Sequence, residues 1–422
     1  MNSKDKINFF ICPASDYLNQ YNETGSHGQI SYQFLKHLAQ KEIIAKIYAV
    51  VIMSVKVDVI KNTTIDVLVK KKGKSSSLSA FDSLFFYIYS YIKYFRSKDY
   101  HSSDVVHHII PFYFGRSFNL FFLFKNSRKK YIIGPIIGPH SNGLVIADES
   151  YISKESKSTF YLRILGILRT TGISLFTPFL YYLSKRTFQN ADIIFCSDKN
   201  SLTYHKKYLK KNQKIYILDT GVDTNVFKPE KTNQLKKGSS DNLEILFVGR
   251  LTKRKGCEYL IRAIAYAINK KRGLKVHCKI LGTGHLREEL ERLVDDLKIK
   301  NYIEFLGGVE SNEDIVHQYR KTDIVCLPAL SETFTVTKEA LCSGKPVIVT
   351  DVCSNAERVE DGINGFVVPP MDYKAIAKII LDVSINKKIL YELSENAVKA
   401  RSLYDWSNIA DEYLSHVSTQ MK

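Results

Sequence analysis

Two α/β domains, each built on a parallel sheet, are the architecture this sequence predicts, and three observations carry the prediction. The chain opens as strand, glycine-bearing loop, helix, strand. Residues 7–12 are a short apolar run, 13–28 are polar and hold Gly25 and Gly28, and 29–40 place Ile30, Phe34, Leu35 and Leu38 on one helical stripe before a second apolar run at 45–52. The same order restarts at 243–248, just after the polar, apolar-poor stretch 230–242. Finally, 322–352 reads strand, loop, short helix, strand: Ile324 to Leu327 is closed by Pro328, and Val347 to Val349 is entered through Gly344 and Pro346. Such a unit makes a parallel crossover. A chain of 422 residues has length for about two or three domains.

Within the first half, 65–69 is a further strand and the basic, serine-rich 70–77 a loop. Two aromatic tracts follow. One holds Phe81, Phe85, Phe86, Tyr87, Tyr89, Tyr91, Tyr94 and Phe95; the other runs from Phe112 to Phe124 and ends in Lys125, Arg128, Lys129 and Lys130. Strands are predicted at 105–110 and 131–133, the second running into Gly138, Pro139 and His140. From Thr159 to Lys185 the pattern is apolar with interspersed Arg163 and Arg169. Such segments fit core helices with solvated faces. They also fit an interfacial surface, with aromatic rings at headgroup depth and lysines on anionic lipid, and that reading is adopted for at least one of them. Strands at 191–196 and 214–218 complete this half.

The second half alternates more regularly. After the strand at 243–248 comes a basic loop, Gly249 to Gly256, then a helix at 257–271 with Leu260, Ile264 and Ile268 on one face. A strand at 275–281, a tight turn at Gly282 to Gly284, a charged helix at 285–297, a strand at 302–305 and a helix at 312–320 lead into 322–352. Beyond it lie a turn and edge-like strand within 361–370, helices at 375–384 and 388–401, and a last helix at 406–417. No internal repeat is present.

Composition narrows the function classes. Hydrophobic residues at 45% and charged ones at 25% are ordinary globular values, but a formal net charge of +18 is not. It points to nucleic acid, anionic membrane or anionic substrate. No zinc-finger, RNP-type or basic-zipper pattern accompanies it, so no nucleic-acid partner is expected. Seven cysteines, with no Cys-x-x-Cys pair, include Cys12, Cys196, Cys278 and Cys326 inside strand-like runs, where cysteine acts as a small hydrophobe. That use favours a reducing compartment. The run at 7–12 is too short for a signal peptide, and the most apolar segment, 164–183, is broken by Arg169 and Pro178. The expected location is cytoplasmic, with peripheral contact at the inner face of an anionic membrane.

The chemistry concentrates in 322–352. Glu332 is expected in the loop and Glu339 in the first turn of the helix, both at the carboxyl end of a parallel strand, where ligands of open α/β sheets bind. Carboxylates there suit the vicinal hydroxyls of a ribose or hexose. An acidic pair at a helix start also fits plain dipole stabilisation.

These residues, with Ser331-Glu332-Thr333-Phe334 and Glu339-Ala340-Leu341-Cys342-Ser343-Gly344-Lys345-Pro346-Val347, resemble the signature of family-4 retaining glycosyltransferases of the GT-B fold. In that family the first glutamate contacts the donor sugar and the second the nucleotide ribose. The resemblance therefore implies Glu332 on the sugar, Glu339 on the ribose, and backbone amides near Phe334 and Thr335 on sugar or phosphate. Two departures stand out. Six residues rather than seven separate the glutamates, and Thr335 replaces the usual glycine, so Glu332 is reached by a shorter loop. The likeness covers 244–417 and is thin before it, at Gly28, His107, Ala191-Asp192 and the junction Gly221 to Pro229.

A diphosphate leaving group needs its developing charge neutralised by a metal or by fixed cations. The sequence has neither an Asp-x-Asp motif nor a His/Cys cluster at ligand spacing, so no metal and no other cofactor is expected. Arg250 and Lys255 occupy the two positions that carry the diphosphate contact in the resembling family; Lys253 and Arg254 fit a solvated charge run. By the same resemblance Gly28 lies in a loop against the donor phosphates, although a simple turn would serve its spacing. His140 is the nearest match to the family's histidine by the reacting sugar, and a structural role is its alternative. In a retaining displacement the diphosphate itself can take the acceptor proton.

The expectation is two facing Rossmann-like domains of GT-B type with a C-terminal helix returning to the first: 1–229 for the acceptor, 230–242 as linker, 243–400 for the donor and 401–422 as the returning helix. The expected activity is metal-independent, retaining transfer of a hexose from a nucleotide-diphosphate sugar to a glycan or lipid-linked acceptor, in surface polysaccharide or glycoconjugate synthesis. Alternatives are a nucleotide-sugar 2-epimerase of the same fold and a catalytically idle sugar-nucleotide-binding subunit. A glycan phosphorylase would need a pyridoxal lysine, for which there is no motif.

Overall fold

The computed structural model describes residues 6–19, 26–56, 58–68, 80–109, 117–136, 178–229, 242–309, 311–330, 334–352 and 354–421. The chain forms two compact units. Among the described residues, the first takes those up to 136, then 178–221 and 406–421; the second takes those within Val222–Asp405. The predicted linker 230–242 lies outside the described residues except for Asn242.

The first unit is a seven-stranded parallel sheet of β1 (Ile7–Asn19), β2 (Ile44–Lys56), β3 (Thr63–Val67), β4 (Val105–His108), β5 (Lys130–Ile136), β6 (Ile193–Cys196) and β7 (Lys214–Ile217), in the order β3-β2-β1-β4-β5-β6-β7. Its helices are α1 (Ser26–Ala39), α2 (Ala80–Tyr94), α3 (Lys98–His101), α4 (Leu120–Leu123), α5 (178–190) and α6 (Lys199–Lys206). Central strands buried on both faces need side chains that pack both ways, hence the continuous apolar runs. The period-2 pleat of β1 divides them: Phe9 and Ile11 enter one core, Phe10 and Cys12 the other.

β1 corrects the predicted opening. It continues to Asn19 rather than stopping at Cys12, because pairing with β2 resumes at Ser15 and Tyr17 across two irregularities in register. α1 starts correspondingly early. Gly28, expected in a polar loop, is buried within its first turn.

The second unit is a six-stranded parallel sheet of β8 (Leu243–Val248), β9 (Val276–Leu281), β10 (Ile303–Gly307), β11 (Ile324–Leu327), β12 (Val347–Thr350) and β13 (Gly365–Val368), in the order β10-β9-β8-β11-β12-β13. The helices are α7 (Cys257–Lys270), α8 (Arg287–Asp296), α9 (Asn312–Arg320), α10 (Phe334–Cys342), α11 (Tyr373–Ile385), α12 (Lys388–Lys399) and α13 (Arg401–Tyr404). β11 pairs with β12 in parallel, the crossover read from 322–352, and β13 is an edge strand, as β10 is at the other side.

The predicted terminal segment 401–422 divides between the units. Tyr404 of α13 is buried beside Val222 and Ala397, Arg401 Nη2 donates to Thr224 O at 2.7 Å, and Thr224 Oγ1 donates to the Asp405 carboxylate, all within the second unit. α14 (Trp406–Met421) belongs to the first. Its Trp406, Ile409, Tyr413 and Val417, spaced three or four apart, pack with Phe34 and Leu38 of α1. A Cβ at Gly221 would lie 2.4 Å from the Trp406 ring, so only glycine lets the chain pass there.

Candidate functional site

In each sheet the chain adds strands on one side of the first strand and then switches to the other. The switch points fall between β1 and β4 and between β8 and β11. Ligands of open α/β sheets bind outside the strand carboxyl ends at such points.

At the second point two loops are locked together. Leu251 is fully buried and its N–H donates to Thr283 O at 2.8 Å, pinning the loop after β8 against the turn after β9. Lys253–Lys255 form one 3-10 turn ending at Gly256, whose φ of 67° is left-handed; a Cβ there would be 1.9 Å from Pro328 O. Arg254 O accepts the Leu330 N–H at 2.7 Å. The loops after β8 and β11 therefore meet backbone to backbone, which holds in place the loop that carries Arg250 and Lys255. Arg250 is exposed, and Lys255 is half-buried with its stem folded over the strand end, Cγ 3.8 Å from where a Gly249 Cβ would stand. α7 begins directly after, and among the described residues no side chain caps its N-terminus. Unpaired N–H groups at the positive end of a helix dipole favour an anion. Thr252 Oγ1, in the same loop, is buried and finds no hydrogen-bond partner among the described residues.

Glu339 needs correction. It is the sixth residue of α10, in the second turn rather than the first, and it is buried instead of facing an open crevice. The Tyr319 hydroxyl donates to its Oε2 at 3.3 Å. Burial pushes its carboxyl up to about 7, against the pull of the Tyr319 hydrogen bond and the neighbouring Lys338. The same burial and the adjacent carboxylate raise Tyr319 well above the ordinary phenol range. Glu339 is thus a buried carboxyl whose titration burial moves towards neutral pH. Sequence reasoning missed Tyr319; its apolar spacing with Val316 signalled burial, but nothing local showed what its hydroxyl meets.

Glu332 and His140 lie outside the described residues, as does the Phe334 side chain. The Phe334 backbone opens α10, and Thr335 is half-buried in its first turn, where no left-handed backbone is required. Gly28 belongs to the first unit. Arg250 and Lys255 share one loop, and Glu339 stands on the helix leaving the adjacent strand.

At the first switch point the histidines are used for packing. His107 Nε2 donates to Gly134 O at 2.8 Å, which leaves Nδ1 to accept from the Tyr413 hydroxyl at 3.0 Å. Burial holds its pKa down to about 3. Asn119 Nδ2 donates to Cys12 O at 2.7 Å and stands 3.4 Å from His108 Nδ1. Among the described residues no group of three His, Cys, Asp or Glu side chains is placed to hold a metal.

Comparison with known proteins follows this geometry. Residues 228–400 match the model of "Glycosyl transferases group 1", so this segment carries a domain of that type. An uncharacterized glycosyltransferase of Methanocaldococcus jannaschii is 30% identical over 243 residues, 55% of this chain and 60% of that protein. The D-inositol 3-phosphate glycosyltransferase of Mycolicibacterium smegmatis is 30% identical over 215 residues, 49% of this chain and 48% of that one. The chain thus spans about half to three-fifths of the length of these curated relatives. Among solved structures, sucrose-phosphate synthase from Thermosynechococcus elongatus superposes with a TM-score of 0.66 at 17% identity, covering 99% of both chains. WaaG, a glycosyltransferase involved in lipopolysaccharide biosynthesis, gives 0.60 at 16%, covering 96% of this chain and 98% of that one. Anabaena HepE, solved with UDP, gives 0.61 at 16%, covering 98% and 100%. The fold is that of GT-B glycosyltransferases: two parallel-sheet α/β domains with a helical C-terminus.

Proposed function

We propose that the protein is a retaining, metal-independent glycosyltransferase of the family-4 kind that moves a hexose from a nucleotide-diphosphate sugar to a glycan or lipid-linked acceptor in surface glycan synthesis, working in the cytoplasm in peripheral contact with membrane. The observation that carries this reading is the loop after β8, which sets Arg250 and Lys255 beside the uncapped N-terminus of α7 at a switch point, inside the segment that matches group 1 glycosyl transferases. Fixed cations and a helix dipole stabilise a departing diphosphate without a metal. Glu339 on the neighbouring helix accepts ribose hydroxyls in its ionised form, and Tyr319 positions it. HepE, which shares the fold, was solved with UDP, in keeping with a nucleotide donor.

A thermal-shift panel of nucleotide sugars identifies the donor, and acceptor-dependent release of nucleoside diphosphate measures transfer. The proposal expects release to survive EDTA and the product to keep the donor's anomeric configuration by NMR. Loss of turnover in EDTA would remove the substitution of cations for metal. A C2-inverted free sugar nucleotide, formed without acceptor, would make the protein an epimerase.

A further inference from the structure

The two faces of the seven-stranded sheet are covered by helices of opposite character. α1 and α14 cover one face, and apart from Met421 near the chain end neither exposes a large apolar side chain among the described residues. α2, α4 and α5 cover the other, and most of the exposed large apolar side chains of the described chain lie there.

α2 is apolar on both sides. Phe86, Tyr87 and Tyr94 pack inward with Phe10, Phe118 and Phe121. Outward stand Phe85, Ile88, Tyr89 and Ile92 at i, i+3, i+4 and i+7, with Phe85 64% and Ile92 69% exposed. Phe95 and Phe124 extend this stripe, both rings joined to Tyr91 at centroid distances of 4.8 and 5.4 Å. Apolar side chains gain free energy when removed from water, so a contiguous exposed stripe marks a surface that is covered in use. Its rim is cationic: Arg96, Lys98 and Arg128 are exposed, while the nearby Lys93 and Lys125 are paired with Asp66 and Asp192.

We propose that this outer face of α2, with Phe124, is the surface by which the protein docks on an anionic lipid bilayer, its aromatic rings at headgroup depth and Arg96, Lys98 and Arg128 on lipid phosphates. The inference deepens the peripheral contact in the proposed function and rests on that reading only for its purpose. Charge decides against a second copy of the chain as occupant. A self-paired stripe would bring two sets of Arg96, Lys98 and Arg128 around one apolar centre, whereas lipid phosphates neutralise them, in keeping with a net charge of +18.

The test is co-sedimentation with phosphatidylcholine vesicles made with and without phosphatidylglycerol, at low and raised salt. Wild type binds the anionic vesicles and is released by salt. Phe85→Ser/Ile92→Ser lowers the affinity by about tenfold or more, while Ile385→Ser, an exposed apolar residue of the second unit, leaves it unchanged. Both changes are at exposed side chains, so the melting temperature stays the same. Phe85→Trp gives a second readout: its emission moves to the blue with anionic vesicles and not with neutral ones. Wild type that ignores anionic vesicles, or a double variant that binds like wild type, overturns the proposal. So does a dimer in light scattering that the double substitution dissociates, which would give the stripe to a second copy. Nucleoside-diphosphate affinity, measured on the same variant, is unaffected. A protein that binds vesicles but no nucleotide would keep this surface and remove the glycosyltransferase reading; the reverse would remove the surface alone.

Discussion

The two sheets share a topology and use it differently. Both place a switch point beside their first strand, and both bring polar side chains to it. At the first, His107 lies between Gly134 O and the Tyr413 hydroxyl, buried and held neutral. At the second, the loop after β8 leaves Arg250 exposed and Lys255 half-buried over the strand end, and burial keeps Glu339 near neutrality rather than fully ionised. Topology says where a ligand can sit; the charge and exposure of the side chains brought there differ between the two points.

That contrast can be broken experimentally, and the largest effect is expected at the cations. Arg250→Ala and Lys255→Ala should each lower transfer by about ten- to a hundredfold, as for a lost stabiliser of developing charge. Lys253→Ala, on the exposed side of the same turn, should be near neutral. Equal losses at all three would mean a diffuse basic surface instead of a built site.

Next is the first switch point. Tyr413→Phe leaves His107 Nδ1 buried without a donor, a cost of about 1–3 kcal/mol. Denaturant unfolding should show that loss, with turnover per folded molecule unchanged. A fall in turnover with stability intact would give His107 a role beyond packing.

The smallest effect is on pH dependence. A carboxyl raised to about 7 on folding contributes stability at low pH that is lost as pH rises from the ordinary carboxylate range to about 7. Hydroxyl binding requires the ionised form, so nucleotide affinity should rise as pH increases through about 7, by up to about tenfold between roughly pH 6 and 8. Glu339→Gln should flatten the profile. Tyr319→Phe removes a hydrogen bond that favours the carboxylate and should move the midpoint to higher pH; an unmoved midpoint would leave Tyr319 no part in positioning Glu339.

What the sequence made legible follows the same divide. In the second unit β8 and β11 are largely apolar runs bounded by Gly, Pro or charged turns, so they were read to the residue. The basic loop that carries Arg250 and Lys255 was legible as a turn between strand and helix because it is local, closed by Gly256 against Pro328 O. Glu339 was expected on the helix after β11, where it stands, but neither its burial nor its turn was legible, because its surroundings include Tyr319 from a separate helix. In the first unit β1 ran past its apolar segment, since pairing with β2 outweighed the polar composition of 13–19. Gly28 moved into a helix as a result. The aromatic tracts left core and surface readings open, and α2 takes both, one on each side.

Titration calorimetry of a nucleoside diphosphate into the full chain tests the central claim most directly. The account predicts saturable binding without added metal, weakened by Arg250→Ala, Lys255→Ala and Glu339→Ala alike, and indifferent to Lys253→Ala and Tyr413→Phe. Wild-type affinity in Arg250→Ala and Glu339→Ala, or binding lost with Tyr413→Phe in a folded protein, would contradict it.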